Sequence, residues 1–264
     1  MPELPEVEAA RRVAERVLVG RRIERAEVAN DPVVYDRASP AAVRSAVTGR
    51  TISAARRKGK YFWLVLDRPP HPVFHFGMSG RLAIYQAGES APKYCKLALA
   101  LSGGTAAAIT DVRRLGRIRL AADPDAEPPI SLLGFDALTS LPRASRLHAL
   151  LATRRAPLKA VLLDQSFSAG VGNWVADEVL YQARLSPLRP ANELSKQEVR
   201  SLRSALKAVL QQAVAVEADA DRFPRTWLFH YRWDRRFGTS ARGERLVRQR
   251  IGGRSTTWAP DRQR

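Results

Sequence analysis

The sequence predicts an α+β fold, in which an N-terminal helix and a β-sandwich lobe precede a helical lobe with a basic, aromatic tail. Three observations carry this. Between Leu4 and Val19, the residues Val7, Ala10, Val13, Ala14 and Val17 recur at helical spacing. From Ile23 to Ala121 the apolar runs shorten to strand length, with turn residues between them. Helical periodicity then returns from Ser145. A chain of 264 residues suits two modest cores better than one large core.

Taken in order, the first helix opens with Pro5 in its first turn, where a missing N–H costs nothing. Strand-like pieces follow at Ile23 to Val28, Val47 to Ala54, Tyr61 to Leu66, Val73 to Phe76, Leu82 to Tyr85, Leu97 to Leu101, Ala106 to Thr110 and Ile118 to Ala121. Turns such as Asp67-Arg68-Pro69-Pro70 and Ser102-Gly103-Gly104 separate them. Many short strands after one helix indicate a β-sandwich over residues 1–121. The acidic, proline-rich stretch from Ala122 to Pro129 marks a linker, placed at 122–140. Helices are expected at Ser145 to Ala152, Pro157 to Leu163, Trp174 to Ala183 and Ser195 to Val216. The last is opened by a capping box of Ser195 and Glu198. The helical domain is therefore placed at 141–221, and the tail at 222–264.

Charge narrows the function. Lys and Arg number 44 against 26 Asp and Glu, a net charge of +18. Such an excess repels itself unless a polyanion is the partner, which points to nucleic acid. The tail concentrates it, with twelve arginines against Asp234, Glu244 and Asp261, a surplus of nine. Trp227, Phe229, Tyr231, Trp233, Phe237 and Trp258 interleave the arginines, whereas disordered basic tails are poor in aromatics. Cys95 is the single cysteine, so no internal disulfide and no cysteine-based zinc site can form within one chain. His230 has no cysteine or carboxylate partner at metal spacing. No metal and no cofactor are expected. There is no apolar run of membrane-spanning length, and Glu3, Glu6 and Glu8 open the chain where a leader would be basic. A soluble, cytoplasmic protein is expected.

Five stretches then fall in a recognisable order: Met1-Pro2-Glu3-Leu4-Pro5-Glu6-Val7-Glu8; Arg57-Lys58-Gly59-Lys60-Tyr61; His75-Phe76-Gly77-Met78-Ser79-Gly80; Thr110-Asp111-Val112-Arg113-Arg114-Leu115-Gly116; and Leu162-Leu163-Asp164-Gln165 with Ala169-Gly170-Val171-Gly172-Asn173. Together they resemble the formamidopyrimidine-DNA glycosylase and endonuclease VIII family, and Leu4-Pro5 looks more like its formamidopyrimidine branch. The resemblance implies a bifunctional glycosylase and AP lyase of base-excision repair, acting on duplex DNA with a damaged base or an abasic site. A monomer in the bacterial cytoplasm or nucleoid is expected.

It also implies roles. Removal of Met1 would expose the amine of Pro2 as nucleophile. An α-amino group titrates roughly 2.5 units below a lysine, so it needs less activation. Glu3 would move protons during ring opening. Glu6, one turn on, would support the site or merely suit the helix dipole. Lys60 would assist near the phosphate and sugar. Extruding a nucleotide costs a few kcal/mol, and inserted side chains recover part of it. Met78 and Arg113 match the family's inserted residues. Leu115 stands where phenylalanine is usual, and Val112 where proline is usual. His75, Lys159 and Asn173 match phosphate contacts, and backbone N–H groups after the Gly170-Val171-Gly172 turn would bind phosphate in a helix, two-turn, helix element. From Gly252 to Gln263 the chain keeps the outline of the family's zinc finger without its cysteines. A zincless β-hairpin finger is expected, held by aromatic and proline packing, with Arg254 entering the minor groove.

Oxidised purines such as 8-oxoguanine and formamidopyrimidines are the first expectation for substrate. The stretch Val216 to Tyr231 departs from the formamidopyrimidine pattern, which keeps oxidised pyrimidines or other lesions open. A non-catalytic DNA-structure-binding protein is the rival from another class, and it would have no use for Pro2, Glu3 and Lys60 together.

Overall fold

The computed structural model describes residues 2–36, 38–233 and 237–264, so the tail charges Asp234, Arg235 and Arg236 lie outside the described residues. The chain forms two compact units. One contains Glu6–Leu132 together with Pro2, and the other contains Leu133–Arg264 together with Glu3–Pro5. The division thus falls after residue 132. The acidic stretch counts with the first unit, where the Asp123 carboxylate accepts the N–H of Asp125 at 3.1 Å and the Glu127 carboxylate accepts that of Asp123 at 2.8 Å.

Helix α1 (Leu4–Leu18) opens the chain. The first unit then builds two four-stranded antiparallel sheets. One runs in the order β1 (Ile23–Val28), β6 (Cys95–Leu101), β7 (Thr105–Thr110), β5 (Arg81–Gln86). The other runs β2 (Ile52–Lys58), β3 (Tyr61–Leu66), β4 (His71–His75), β8 (Arg117–Ala121). Ile23, Leu97 and Leu99 from one sheet meet Phe62, Leu64 and Phe74 from the other, along with Val7, Ala14 and Leu18 of α1, in one buried cluster. Alternate residues along a strand supply that cluster, Phe62, Leu64 and Leu66 on β3 and Leu97, Leu99 and Leu101 on β6, as sandwich packing requires.

Two segments depart from the sequence reading. Helix α2 (Pro40–Val47) was not expected, although its signal is present: the Ser39 hydroxyl accepts the N–H of Ala42 at 3.1 Å, and Pro40 occupies the first turn. Its short sequence, with Val43, Ala46 and Val47 buried, carries too few turns for periodicity to register. The strand expected from Val47 consequently begins only at Ile52 and runs on to Lys58.

The second unit holds α3 (Ala144–Ala152), α4 (Leu158–Leu163), α5 (Asn173–Ala183) and α6 (Lys196–Ala215), all within two residues of expectation. A short parallel pair joins β9 (Phe135–Asp136) to β10 (Ser168–Ala169). Ser195 and Glu198 form the reciprocal capping box of α6. Val199, Leu202, Leu206, Val209 and Leu210 of α6 pack against Val175, Val179 and Leu180 of α5 in this unit's core. The tail closes as an antiparallel hairpin of β11 (Val247–Ile251) and β12 (Arg254–Trp258), turned at Gly252 and Gly253, both with positive φ. Among the described residues no helix is long and apolar enough to cross a membrane.

Candidate active site

Pro2 is partly buried and leads directly into Glu3, whose side chain is 2% exposed. In the second unit the Glu3 carboxylate accepts the N–H of Trp174 at 2.9 Å and that of Val175 at 3.1 Å. These are first-turn amides of α5, where a helix has donors without intrahelical acceptors and a partial positive charge. Gly172 is required for this approach, because a Cβ there would stand 2.2 Å from the Glu3 carboxyl carbon. The backbone amides expected to hold a phosphate therefore hold a carboxylate of the chain itself. The glycine-rich turn is explained by Glu3, a partner 171 residues away that sequence spacing does not reveal.

Lys60 stands at the turn between β2 and β3, after Gly59 with φ of 58°. Beneath that turn lies a buried charge group that sequence reasoning missed. The Glu8 carboxylate on α1 accepts Arg57 Nε at 2.9 Å and Arg11 Nη2 at 3.0 Å, and Arg57 Nη1 donates to the Gly59 carbonyl at 2.9 Å. Although burial opposes ionisation, the surrounding guanidinium groups hold the Glu8 carboxyl below its usual value. The group ties the turn bearing Lys60 to α1. Glu6, two residues before Glu8 on that helix, is partly buried.

His75 ends β4 with its ring 4.7 Å from that of Tyr61. Burial, and then the charges of Lys60, Arg119 and Arg117, push its imidazole down to about 4. Nδ1 accepts the Gly77 N–H at 3.2 Å, so the neutral ring carries its proton on Nε2 and keeps one donor.

The structure brings Met78, Arg113 and Leu115 together on adjoining loops. Met78 is 38% and Leu115 43% exposed, so Met78 is not core, and Arg113 is exposed beside them. The buried Asp111 carboxylate accepts the Ser79 hydroxyl, the Arg113 N–H at 3.2 Å and the Gly116 N–H at 2.7 Å. Gly77, with φ of 58°, sits where a Cβ would fall 2.3 Å from the Leu115 carbonyl oxygen. Arg114, also at positive φ, is clamped by Asp31, its Nη2 at 2.9 Å from Oδ1.

Lys159 does not fit the expected phosphate contact. Its side chain is 0% exposed, and Nζ lies 2.6 Å from Asp177 Oδ1 and 2.7 Å from Thr256 Oγ1. Burial raises the Asp177 carboxyl and lowers the Lys159 ammonium, each countered by the charge of the other. Sequence reading failed here because a motif reports a residue type and not which way its helix turns it. Asn173 is partly buried at the start of α5, its Nδ2 donating to the Ser255 carbonyl at 2.9 Å. Arg254 is exposed at the turn end of the hairpin. The hairpin's own apolar anchor is Tyr181, Leu228, Leu246 and Ala259. Among the described residues no group of three or more His, Cys, Asp or Glu could hold a metal ion.

Residues 1–118 match the formamidopyrimidine-DNA glycosylase N-terminal domain, and residues 133–224 match the formamidopyrimidine-DNA glycosylase H2TH domain. A formamidopyrimidine-DNA glycosylase of Arabidopsis thaliana is 41% identical over 277 aligned positions, which take in all of this chain and 71% of that protein. The chain belongs to the formamidopyrimidine-DNA glycosylase family. As a family member it is a DNA glycosylase of base-excision repair. A bacterial formamidopyrimidine-DNA glycosylase, from Desulfitobacterium hafniense strain DSM 10664, is 32% identical over 98% of both chains. The fold is that of solved family structures. Lactococcus lactis formamidopyrimidine-DNA glycosylase in complex with DNA containing an oxidised pyrimidine superposes with a TM-score of 0.88 at 23% identity, covering 100% of each chain.

Proposed function

We propose that this glycosylase releases an oxidised base by attack of the Pro2 amine, freed by loss of Met1, on the sugar C1′. The observation that supports it best is the seating of Glu3 against the first amides of α5, which fixes the residue bonded to Pro2. The amine lone pair forms the C1′–N bond as the bond to the base breaks, and the bonding pair leaves with the base, which takes a proton from water. The Glu3 carboxylate accepts the proton that the amine loses and returns it to the opening ring oxygen. The resulting iminium withdraws electrons from C2′, so loss of a C2′ proton expels the 3′ phosphate. Elimination of the 5′ phosphate follows with loss of a second sugar proton, and water hydrolyses the iminium to free Pro2. Lys60 supplies positive charge near the phosphate and sugar.

On the DNA side, Met78, Arg113 and Leu115 fill the space left by the extruded nucleotide. His75 donates from neutral Nε2 to a phosphate, and Asn173 and Arg254 engage the backbone and the minor groove. Glu6 supports the site. The partner is a single duplex bearing a damaged base or abasic site, bound by a monomer in the bacterial cytoplasm or nucleoid. The finger works without metal.

Oxidised purines, 8-oxoguanine and formamidopyrimidines, are the proposed substrates. One observation favours oxidised pyrimidines or other lesions instead. The segment 216–231 is folded into two short 3-10 turns, with Phe223, Trp227 and Phe229 packed on Trp174 and the Phe229 N–H given to Glu178 at 2.9 Å, so its aromatic residues are spent on the protein's own core.

Borohydride added during turnover of an abasic-site duplex should trap a covalent adduct. The same chain carrying an uncleaved N-terminal extension should give none, and unchanged trapping would remove Pro2 as nucleophile. Running 8-oxoguanine, formamidopyrimidine and oxidised-pyrimidine duplexes in parallel, scored for base release and nicking, decides the substrate class.

A further inference from the structure

We infer that the buried charge cluster of Lys159, Asp177 and Arg232 is the staple that takes the place of a metal in the finger, and that these are positioning residues for Asn173 and Arg254. Four segments distant in sequence converge on it. Lys159 comes from the first turn of α4, Asp177 from the middle of α5, Arg232 from the segment leading to the hairpin, and Ser255 to Thr257 from β12. Side-chain exposure is 0% for Lys159, 1% for Asp177 and 7% for Arg232.

The bonding is directional. Lys159 Nζ donates to Thr256 Oγ1 at 2.7 Å and to the Ser255 carbonyl at 3.3 Å, and it forms an ion pair with Asp177 Oδ1 at 2.6 Å. On its other oxygen, Asp177 Oδ2 accepts Arg232 Nη2 at 2.8 Å and the Thr257 N–H at 3.3 Å. Charges this deep in a protein persist only when paired and hydrogen-bonded, and removing one partner leaves the others uncompensated. The cluster therefore holds β12 to α4 and α5 by bonds of fixed direction, as metal ligands would hold a finger. Packing at Tyr181, Leu228, Leu246 and Ala259 secures the same hairpin without such direction.

The consequence falls on the residues proposed to meet DNA. The Ser255 carbonyl accepts from Lys159 and, at 2.9 Å, from Asn173 Nδ2, so the peptide next to Arg254 and the Asn173 side chain share one fixed point. At the turn, a Cβ on Gly252 would meet the Ala160 Cβ at 3.0 Å, so the hairpin tip rests on α4 itself. A small shift of β12 would move Arg254 and Asn173 together.

This inference rests on the proposal that Arg254 and Asn173 contact DNA, and the test separates the two. Lys159→Met keeps the aliphatic stem and removes the ammonium; Thr256→Val removes one of its acceptors without altering charge. Hydrogen exchange should quicken roughly tenfold or more at the Val247–Ile251 and Arg254–Trp258 amides in Lys159→Met, and less in Thr256→Val. In α6 it should stay within about twofold. Binding of an abasic-analogue duplex should fall in Lys159→Met by about as much as in Arg254→Ala, and the double variant should be no weaker than the weaker single. Hairpin exchange unchanged in both variants overturns the staple, as does equal loosening of α6 in Thr256→Val. Additive losses with Arg254→Ala overturn the positioning role. Weaker binding with an unchanged hairpin would return Lys159 to direct DNA contact. If Arg254→Ala binds normally, the finger contact itself fails, while the exchange data still decide the staple. Should Lys159→Met not fold, hairpin exchange in Thr256→Val decides between staple and no staple.

Discussion

His75 illustrates how strongly burial can set a single residue's state. Its imidazole is pushed from an ordinary 6.5 down to about 4 because charging it would cost hydration and bring it against Lys60, Arg119 and Arg117. A depressed folded value means that the unfolded chain takes up the proton first as pH falls. Its contribution to stability is full above about pH 6.5 and drains away between there and about pH 4. The span corresponds to on the order of 3 kcal/mol. Thermal melts of His75→Gln should therefore lose less stability than the parent over that window, and parallel curves would show that the ring is not the titrating group. The same reasoning explains why the sequence could name His75 as a candidate but not its charge state. The motif gives the ring, and the charges that act on it come from Lys60 at the β2–β3 turn and from Arg117 and Arg119 of β8.

Among the elements, α5 gathers the most of the candidate site in the fewest residues. Its first amides hold Glu3, Asn173 begins it, and Asp177 in its interior anchors the hairpin. Gly172→Ala should be severe, since the new Cβ would lie 2.2 Å from the Glu3 carboxyl carbon and 2.5 Å from each carboxylate oxygen. Trapping of the abasic-site adduct should fall at least about a hundredfold, as expected when a proton-transfer group is displaced. The capping-box change Ser195→Ala on α6 should instead cost about 1 kcal/mol in thermal unfolding and leave trapping intact. Equal trapping by both variants would mean that Glu3 need not sit at α5. The longer helices were readable because apolar periodicity over several turns survives translation into sequence patterns. Among the described α-helices α2 alone escaped, its cue reduced to Ser39 and Pro40.

For the whole molecule, a net charge of +18 makes association with DNA depend on salt. Released counterions lower log K linearly with log salt, by about 0.9 per neutralised phosphate. Arg254→Ala should flatten that slope by about one unit, and an unchanged slope would take the hairpin out of the interface. A chelator should leave nicking and melting temperature unchanged, because the hairpin is held by Lys159, Asp177 and Arg232 with the apolar group around Tyr181. Stoichiometric zinc in the purified protein would contradict this.

Local periodicity and contiguous motifs were enough for the fold class, the two cores and the family, and they name Pro2, Glu3 and Lys60 as candidates. Composition alone ruled out a four-cysteine finger. Three features emerged only once the chain was folded: Lys159 is buried against Asp177 and Thr256, the α5 amides hold Glu3, and Asp111 frames Met78 and Arg113. Each of these joins residues far apart in the chain, or turns on which side of a helix faces the core. Burial and partner choice are products of packing, and no spacing within a motif encodes them.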